Sequence, residues 1–212
     1  MSFEGTHQGA DAPVSLRERT REAIRSEVVE TAWRLFAEQG FAGTTVDQIV
    51  ESAGMSRRTF FRYFSGKEEL VTWRLLASGA AVRRELLERP STESDWVALR
   101  RAFDCVVTDV EQNAEIARRL HGLLLDEPEV RTAFHERAFR WADLLGPVLA
   151  ARRGSVPKDS AAEGVERLRA RALVASALAC FDAAQLSWAL DGSDPALGPL
   201  VDEAMTAVAP LA

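Results

Sequence analysis

Residues 40–70, GFAGTTVDQIVESAGMSRRTFFRYFSGKEEL, constrain the fold of this chain more than any other segment. They contain two short helical patterns, each preceded by a hydroxyl-bearing residue, and Gly54 separates the two. From Ser56 to Lys67 the segment carries four cationic residues and no Asp or Glu, although the whole chain has a formal net charge of -6. Positive charge is therefore concentrated on one small unit, as on a surface that binds a polyanion.

Three helices are predicted around this segment. Apolar residues recur with helical spacing over residues 20–39, and Gly40 follows as a left-handed stop. Thr45 begins the second helix with Gln48 completing a capping box, and Ser56 is the N-cap of the third helix. Two capped helices joined by a glycine turn, the second carrying cations, indicate a helix-turn-helix, whose second helix enters the major groove of DNA.

The third predicted helix should divide its side chains between the protein core and DNA. Because successive helical residues are about 100° apart, Phe60 and Phe64 share one face. Arg58, Thr59 and Arg62 lie broadly opposite that face. Arginine forms bidentate hydrogen bonds with guanine in the major groove, so these side chains are candidates for base contacts. The alternative is a solvated charged face, the usual role of a short charge run, and the helix-turn-helix context favours DNA.

The helix starts in the segment are suited to phosphate groups. Thr45, Ser56 and the backbone amides that follow them can bind phosphate oxygens at the two helix N-termini. Lys67, in the first turn of the next helix, can do the same. The sequence therefore predicts that the backbone of DNA is held at three points around the third helix.

The segment resembles the N-terminal region of the TetR family of bacterial transcriptional regulators over roughly residues 20 to 75. The family pattern T-T-hydrophobic-x-x-I-A-x-x-A-G-V-S is followed by TTVDQIVESAGMS, and [FL]-[YF]-x-[YH]-F-x-x-K-[ED]-x-L by FFRYFSGKEEL. The resemblance implies a three-helix DNA-binding domain, joined by a fourth helix to an all-helical domain that dimerises and usually binds a small molecule. It also implies phosphate contacts by Thr45, Ser56 and Lys67, and groove contacts by Arg57, Arg58, Thr59, Phe61, Arg62 and Tyr63.

Three positions depart from the family pattern. Phe61 stands where the family commonly has Tyr, which removes one hydroxyl that could bind phosphate. Arg58 occupies a position that is often small in the family, so we expect a base contact that relatives lack. Ser65 and Gly66 precede the lysine, and Ser65 is expected to form a capping box with Glu68 at the start of the fourth helix.

The rest of the chain has helical patterns and no alternating strand signal, so an all-α fold is predicted. Further helices are expected over residues 65–89, 95–113, 114–125, 128–151, 161–190 and 195–208, with a loop at 152–162. The predicted domains are a disordered arm (1–15), a helix-turn-helix domain (16–66) and a helical ligand-binding and dimerisation domain (67–212). Arginines in LRERTREAIR, where the arm meets the first helix, could enter a minor groove or form a solvated first turn.

The segment 169–190, RARALVASALACFDAAQLSWAL, is apolar on more than one face. Its small residues permit close helix approach, and it has more apolar surface than a helix with one solvent side requires. A homodimer through this helix and residues 199–208 is the preferred interpretation, because a helix-turn-helix that reads paired major grooves needs two copies about 34 Å apart. Ordinary burial within one chain is the alternative.

Bulky and polar residues of the C-terminal helices are candidates for an effector pocket. Core packing is the alternative for each aromatic residue. The candidates together suggest a largely hydrophobic effector, and RTFFRYFSGKEELVTW also resembles the mycofactocin-associated regulators, some of which sense acyl-CoA esters. The candidate ligand-binding residues are Phe103, His121, Phe134, Trp141, Phe181, Gln185 and Trp188, with His135 and Asp182 as further polar candidates.

The sequence argues against several other function classes. Cys105 and Cys180 have apolar neighbours, so buried free thiols are expected rather than a disulfide, metal site or redox sensor. His121 and His135 lack a metal-ligand spacing, and no nucleophile elbow or phosphate-binding glycine loop is present, so we expect no metal, cofactor or catalytic site. Neither a run of about 18 apolar residues nor a signal peptide is apparent, which favours the cytoplasm.

These observations lead to one preferred function. We expect a ligand-responsive repressor that binds a palindromic DNA operator as a dimer and is released by a small, hydrophobic effector. The alternative is a helical ligand-binding or interaction protein without specific DNA binding. Salt-sensitive, site-specific binding to DNA distinguishes the first from the second.

Overall fold

The computed structural model describes residues 15–126, 128–152, 161–191 and 196–211. These residues form α-helices without any strand, which confirms the all-α fold class with its N-terminal helix-turn-helix. The predicted arm at 1–15, apart from Ser15, and most of the predicted loop at 152–162 lie outside the described residues. In chain order the helices are α1 (Leu16–Gln39), α2 (Val46–Ser52), α3 (Arg57–Tyr63), α4 (Lys67–Glu88), α5 (Asp95–Ala102), α6 (Asp104–Gln112), α7 (Ala114–Asp126), α8 (Pro128–Arg152), α9 (Ala161–Leu190) and α10 (Leu197–Thr206).

The first helix begins four residues before its predicted start at residue 20. Ser15 caps α1 by accepting from the amide of Glu18, whose carboxylate in turn accepts from the Ser15 amide. The early turns are rich in exposed arginine, so they carry no apolar period by which the start could be recognised. At the other end Gly40 stops the helix with a φ of 81°, a left-handed value that favours glycine.

The two short helices begin where the sequence predicts. The Thr45 hydroxyl accepts from the Gln48 amide, and the Gln48 side chain accepts from the Thr45 amide, so the predicted capping box is present. Ser56 caps α3 by accepting from the Thr59 amide at 3.1 Å. Gly54 makes the turn between the helices with a φ of 63°. Local capping chemistry therefore fixes the relative placement of α2 and α3.

The predicted capping box at the start of α4 is wrong. Gly66 is the N-cap, and it supplies no side-chain hydrogen bond. Ser65 lies one residue too early, and both its amide and its hydroxyl donate to the carboxylate of Glu69 rather than Glu68. The carboxylate thus ties the end of the helix-turn-helix to the first turn of α4, a different connection with a similar effect.

The predicted helix over residues 95–113 is two helices, α5 and α6, that meet at Phe103. The amide of Val106 donates to the carbonyl oxygen of Phe103 at 2.9 Å, a tight turn that interrupts the α-helical pattern. Phe103 itself is fully buried, with its ring centroid 4.9 Å from that of Phe181 in α9. Aromatic packing at the break therefore holds the bend.

Two hydrophobic cores share helix α4. The first core joins α1, α2 and α3 to the first half of α4 through Leu70, Val71 and Leu75. The second core joins the second half of α4, through Val82 and Leu86, to helices α5 to α10. The predicted domain boundary at residues 66 and 67 stays a prediction. Helix α4 belongs to both packed units, and α8 also contributes to each, through Ala133 in the first core and Trp141 in the second.

Helix α9 differs from the expectation that no segment could span a membrane. It is long and apolar enough to do so by length and composition, and 44% of its most apolar window of 18 residues is buried. A core helix of a soluble protein passes the same test, so this is weak evidence for a membrane span. Here α9 packs against both α8 and α10.

Candidate nucleic-acid interface and effector cavity

Helix α3 holds two aromatic rings inside and presents cations outside. Phe60 and Phe64 are 0% and 2% exposed, and their ring centroids are 5.6 Å apart in the N-terminal core. Arg58 and Arg62 are exposed on the opposite side, as the helical spacing predicts. Phe61 is also 50% exposed, although a solvent-facing phenylalanine gains little in the free protein. The outer face of α3 is therefore shaped for contact with a partner.

The three arginines of α3 differ in the contacts that their guanidinium groups make within the protein. The guanidinium of Arg57 lies 3.0 Å from the carboxylate of Asp47 in α2, an exposed ion pair of small energetic value. The guanidinium of Arg62 lies 5.0 Å from the ring centroid of Tyr63 and donates to its hydroxyl at 3.4 Å. Arg58 makes no hydrogen bond or ion pair with the residues that the structure describes. It is the cation most available to a base edge.

The hydroxyl groups that are predicted to bind phosphate already make hydrogen bonds within the protein. Those of Thr45 and Ser56 accept from the backbone as helix caps, and the Ser56 oxygen lies 2.9 Å from that of Thr59. All three side chains lie at the surface or partly buried next to it. A hydroxyl has one proton to donate, and that of Thr45 already goes to the side-chain oxygen of Gln48 at 3.1 Å, so this group meets a phosphate oxygen only by releasing Gln48.

Lys67 is half-buried and its ammonium is engaged by the loop between α1 and α2. It donates to the carbonyl oxygens of Phe41 at 2.6 Å and Thr44 at 3.2 Å. It also lies 4.2 Å from the centroid of the Phe41 ring, a cation–π distance. An ammonium has three donors, so one remains for a phosphate. Lys67 therefore fixes the loop before α2 in addition to its predicted phosphate role.

A basic groove lies beside α3 that the sequence analysis did not assign to the site. It joins the first turns of α1 to the end of α3, with the side chains of Arg17, Arg21, Arg62 and Tyr63 along it. The arginine-rich junction was the only signal, and the sequence left its role open between a groove-binding arm and a solvated turn. The structure brings two of those arginines beside a predicted DNA-contacting residue.

Arg25 holds α3 against its neighbours. Its guanidinium donates to the carbonyl oxygen of Tyr63 at 3.0 Å and to the carboxylate of Glu69 at 3.2 Å, and lies 5.2 Å from the Phe64 ring centroid. One side chain of α1 thus fixes the end of α3 and the start of α4 together. A charged hydrogen bond that satisfies a helix carbonyl is stronger than a neutral one.

A cavity of about 310 Å³ lies between the N-terminal unit and the C-terminal helices. Four of the seven predicted ligand-binding residues line it: His121, Phe134, Trp141 and Gln185. Helix α1 contributes to the wall, so the cavity touches the DNA-binding unit itself. The further lining residues, which the sequence analysis did not select, are Glu30, Trp33, Arg34, Arg74, Leu75, Ser78, Val106, Asp109, Val110, Asn113, Ile116, Ala117 and Arg137.

The other three predicted ligand-binding residues do not reach this cavity. Phe103 and Phe181 pack on each other in the C-terminal core and are fully buried. Trp188 is 1% exposed, and the guanidinium of Arg118 lies 4.5 Å from its ring centroid. Close packing holds each of these side chains, so the three residues follow the alternative interpretation of core packing. Helical periodicity predicted their burial but could not tell which cavity or core they would face.

The inner part of the cavity is polar. Arg137 is 3% exposed and forms an ion pair with Asp182 of α9, while its guanidinium lies 4.9 Å from the Phe134 ring centroid. His121 is buried and lies edge-on to Phe134, with ring centroids 5.9 Å apart. Burial lowers the pKa of His121, and this outweighs the hydrogen bond to the Ala117 carbonyl, which raises it. His135, in contrast, is exposed.

No group of three or more His, Cys, Asp or Glu residues in the described ranges is arranged to hold a metal ion. Cys105 and Cys180 are free thiols, and burial raises the pKa of each. A raised thiol pKa disfavours the reactive thiolate. Cys180 is thus the buried free thiol that was expected, whereas Cys105 is a free thiol that is only partly buried.

Comparison with known proteins identifies the N-terminal unit. Residues 28–72, from α1 into α4, match the bacterial regulatory proteins of the tetR family. The helix-turn-helix unit of this chain belongs to the TetR family. The resemblance that the sequence motifs indicated is thereby confirmed. The matched region contains α2, Gly54 and α3, so the TetR-family signature coincides with the helix-turn-helix and its exposed arginines.

Two curated TetR-family relatives extend the similarity beyond the helix-turn-helix. The HTH-type transcriptional regulator TcmR of Streptomyces glaucescens is 30% identical over 145 residues, which cover 66% of this chain and 64% of that protein. The putative mycofactocin biosynthesis transcriptional regulator MftR of Mycobacterium tuberculosis is 28% identical over 142 residues, covering 66% and 71%. The chain thus spans about two thirds of the length of these relatives.

A solved structure shares the fold over most of both chains. The transcriptional regulator FadR from Bacillus subtilis, crystallised in complex with stearoyl-CoA, superposes with a TM-score of 0.58 over 88% of this chain and 98% of that one. The sequences are 15% identical, so the similarity concerns the fold. The described helices of this chain are therefore arranged as in FadR.

Proposed function

We propose that this chain is a ligand-responsive transcriptional repressor that acts as a homodimer in the cytoplasm and is not an enzyme. The outer face of α3 carries the proposal: Arg58, Phe61 and Arg62 are exposed on a helix whose caps and inner aromatics fix its position. In a helix-turn-helix this is the face that enters the major groove. Two arginines one turn apart can each read a guanine.

Helix α9 supports a dimer that binds a palindromic operator. One side packs on α8 and α10, and the other side carries an exposed row of apolar and small residues at three- and four-residue spacing. Such a row along a long helix is typical of a helix–helix interface, and a two-fold interface matches a palindrome. The row consists of Val165, Leu168, Ala172, Ala175, Ala179, Ala183, Leu186 and Leu190.

The cavity is placed to couple an effector to DNA binding. Its wall includes Trp33 of α1, Leu75 of α4 and Trp141 of α8, so one ligand would contact both packed units. Since α4 belongs to both cores, a small shift of α4 changes the position of each DNA-binding unit in the dimer. The effector then releases the dimer from DNA if it binds more tightly to a conformation in which the two α3 helices are not spaced to enter successive major grooves.

The aromatic walls favour a largely hydrophobic effector. Trp33, Phe134 and Trp141 supply apolar surface around the cavity. The FadR relative was crystallised with stearoyl-CoA, which is itself largely apolar at its acyl end. The polar inner groups described above add a requirement for hydrogen bonding that a purely hydrocarbon ligand does not meet.

A mobility-shift assay tests the regulator. The full-length protein is titrated against DNA flanking its own coding sequence and against a scrambled sequence of equal length, over a series of salt concentrations. Specific binding that weakens as salt rises supports the proposal. Binding that is equally weak on both sequences supports the alternative, a helical ligand-binding protein without specific DNA recognition.

Two double variants that remove the same charge make this assay specific for α3. R58A combined with R62A removes two positive charges from α3 and should abolish the preference for the flanking sequence. R83A combined with R84A removes the same charge from an exposed part of α4 outside the DNA-binding unit. The second pair should retain the preference, because loss of net charge alone weakens all sequences together.

A further inference from the structure

Three buried polar atoms without a hydrogen-bond partner belong to side chains that line the same cavity. They are Nε2 of His121, Oε1 of Gln185 and Nε of Arg137. A buried polar atom that lacks a partner is unfavourable by roughly 1–3 kcal/mol, so native proteins keep few of them. Their concentration around one cavity indicates that a ligand supplies the missing hydrogen bonds.

The chemical roles of two of these atoms follow from their surroundings. The carbonyl oxygen of Ala117 lies 2.8 Å from Nδ1 of His121, and because a carbonyl only accepts, Nδ1 carries the proton. Burial favours the neutral ring, so Nε2 is left as an acceptor. Oε1 of Gln185 is an acceptor as well. The Gln185 side chain also lies within hydrogen-bond reach of the His121 ring, so one donor from a ligand placed between the two acceptors serves both.

The third atom requires a hydrogen-bond acceptor from the ligand. Nε of Arg137 is a donor, and its guanidinium is already neutralised by the ion pair with Asp182. A hydroxyl group donates one hydrogen bond and accepts others, so a single hydroxyl can serve acceptors and a donor in one place. An ammonium group or a ketone alone meets only one side of this requirement.

The charges around the cavity disfavour an ionic ligand. Arg137 pairs with Asp182, and Arg74 lies 2.9 Å from the carboxylate of Asp109. The remaining lining charges, Glu30 and Arg34, are one of each sign and are exposed at the rim. A charged ligand would lose its hydration without finding an unpaired countercharge.

The size of the cavity limits the ligand further. A volume of about 310 Å³ is at the lower end of the range for small-molecule sites. A cavity of this size accommodates a compact ring system without further opening. A fatty acyl thioester of coenzyme A is several times larger.

We propose that the effector is a compact, uncharged aromatic compound that carries a hydroxyl group, and that this hydroxyl binds between His121 and Gln185. The inference rests on the proposed regulator function and specifies the ligand of its cavity. The ring lies against Phe134 and Trp141, and the hydroxyl donates to Nε2 or Oε1 while accepting from Nε of Arg137. The inner polar groups thereby select hydroxylated rings over their hydrocarbon and ether analogues.

Calorimetric titration of the full-length protein without DNA tests this inference. The probes are 1-naphthol, its methyl ether 1-methoxynaphthalene, and lauroyl-CoA. We expect 1-naphthol to bind about tenfold or more tightly than the ether, because the ether leaves the buried acceptors unpaired. Equal affinities for the two rings, tighter binding of lauroyl-CoA, or no binding of 1-naphthol at millimolar concentration would overturn the proposal.

Two substitutions assign the preference to the cavity. Q185L removes one acceptor and should reduce the preference for 1-naphthol over the ether, and H121L should do the same if the first variant does not fold. Q112L removes an exposed amide in α6 and should leave the preference unchanged. Since no DNA is present, these results are independent of the mobility-shift assay. A protein that binds 1-naphthol but no specific DNA would overturn the regulator function alone.

Discussion

Gly79 of α4 lies directly against the indole ring of Trp141 in α8. A Cβ atom at position 79 would be 2.5 Å from Nε1 of Trp141, closer than any real contact. The same Nε1 donates to the carbonyl oxygen of Leu75, one turn earlier in α4, at 2.9 Å. Because Trp141 also lines the cavity, this close approach connects the effector site to the helix shared by both cores.

Substitution G79A should destabilise the protein. The added methyl group meets a fully buried ring that cannot move without losing its hydrogen bond to Leu75. Overpacking of this kind lowers the free energy of unfolding by about 1–3 kcal/mol. Chemical denaturation measures the change. The matched control is G164A, in the exposed start of α9, where a Cβ meets nothing within 4 Å.

The control should gain stability, because alanine is a better helix former than glycine by about 1 kcal/mol. Equal stability of the two variants would show that α4 and α8 have room to separate. In that case the contact between Gly79 and Trp141 would not be tight enough to transmit a change in the cavity.

Substitution R58A should relax sequence discrimination. Arg58 is exposed on α3 and makes no hydrogen bond or ion pair with the described part of the chain, so its guanidinium is available to a base. Loss of a bidentate contact weakens cognate binding by about 1–3 kcal/mol and affects one base position. Binding to a set of operators with single base changes measures this. A uniform loss on every operator would instead assign Arg58 to the phosphate backbone.

Substitution K67M should weaken both folding and DNA binding. The Lys67 ammonium donates to the carbonyl oxygens of Phe41 and Thr44, and a hydrogen bond to a charged group contributes about 1.5–3 kcal/mol. Thermal melting should show this loss, while K67R should retain much of it. If Lys67 also binds phosphate, DNA affinity falls by a similar factor for all sequences and the salt dependence decreases.

The helix-turn-helix could be predicted from sequence because its determinants are local. Thr45 and Ser56 each bond to an amide three residues away, and Gly54 adopts a backbone angle that few other residues allow. Such features need no knowledge of distant contacts. The wrong cap at Ser65 has the same origin, since two nearby glutamates offered alternative partners and only the geometry of Gly66 selects Glu69.

The cavity could be predicted only in part, because its determinants are not local. His121, Phe134 and Gln185 come from three different helices, and periodicity predicts that such residues are buried without saying what they face. Phe103 breaks a helix that the sequence pattern left continuous, and Phe181 packs on it from 78 positions further along the chain. Interhelical packing of this kind is set by the whole core.

Stability should decrease when the pH falls below about 6.5, and His121 should account for part of the decrease. Burial lowers the pKa of His121 in the folded protein from its ordinary value of 6.5. Below that value the unfolded chain binds a proton that the folded protein resists, so acid favours unfolding until the folded pKa is reached. Urea unfolding between pH 5 and 8 measures the slope, and H121N should reduce it.

The groups that face His121 decide the strength of this effect. Arg137 lowers the pKa further, whereas Asp182, Gln185 and the Ala117 carbonyl raise it, and burial outweighs them. An unchanged pH slope in H121N would mean that the imidazole takes up its proton equally in the folded and unfolded chain. The buried, neutral ring on which the hydroxyl site depends would then be ruled out.

Substitution A179E should dissociate the proposed dimer. Ala179 lies in the middle of the exposed row on α9, and a two-fold interface would bring the new carboxylates of both protomers into the same apolar contact. Burial of unpaired charge there is strongly unfavourable. Sedimentation equilibrium should show a monomer, and operator binding should weaken because two linked DNA-binding units are required. A80E adds the same charge to an exposed position of α4 and should remain dimeric. A dimeric A179E protein would place the interface on another surface.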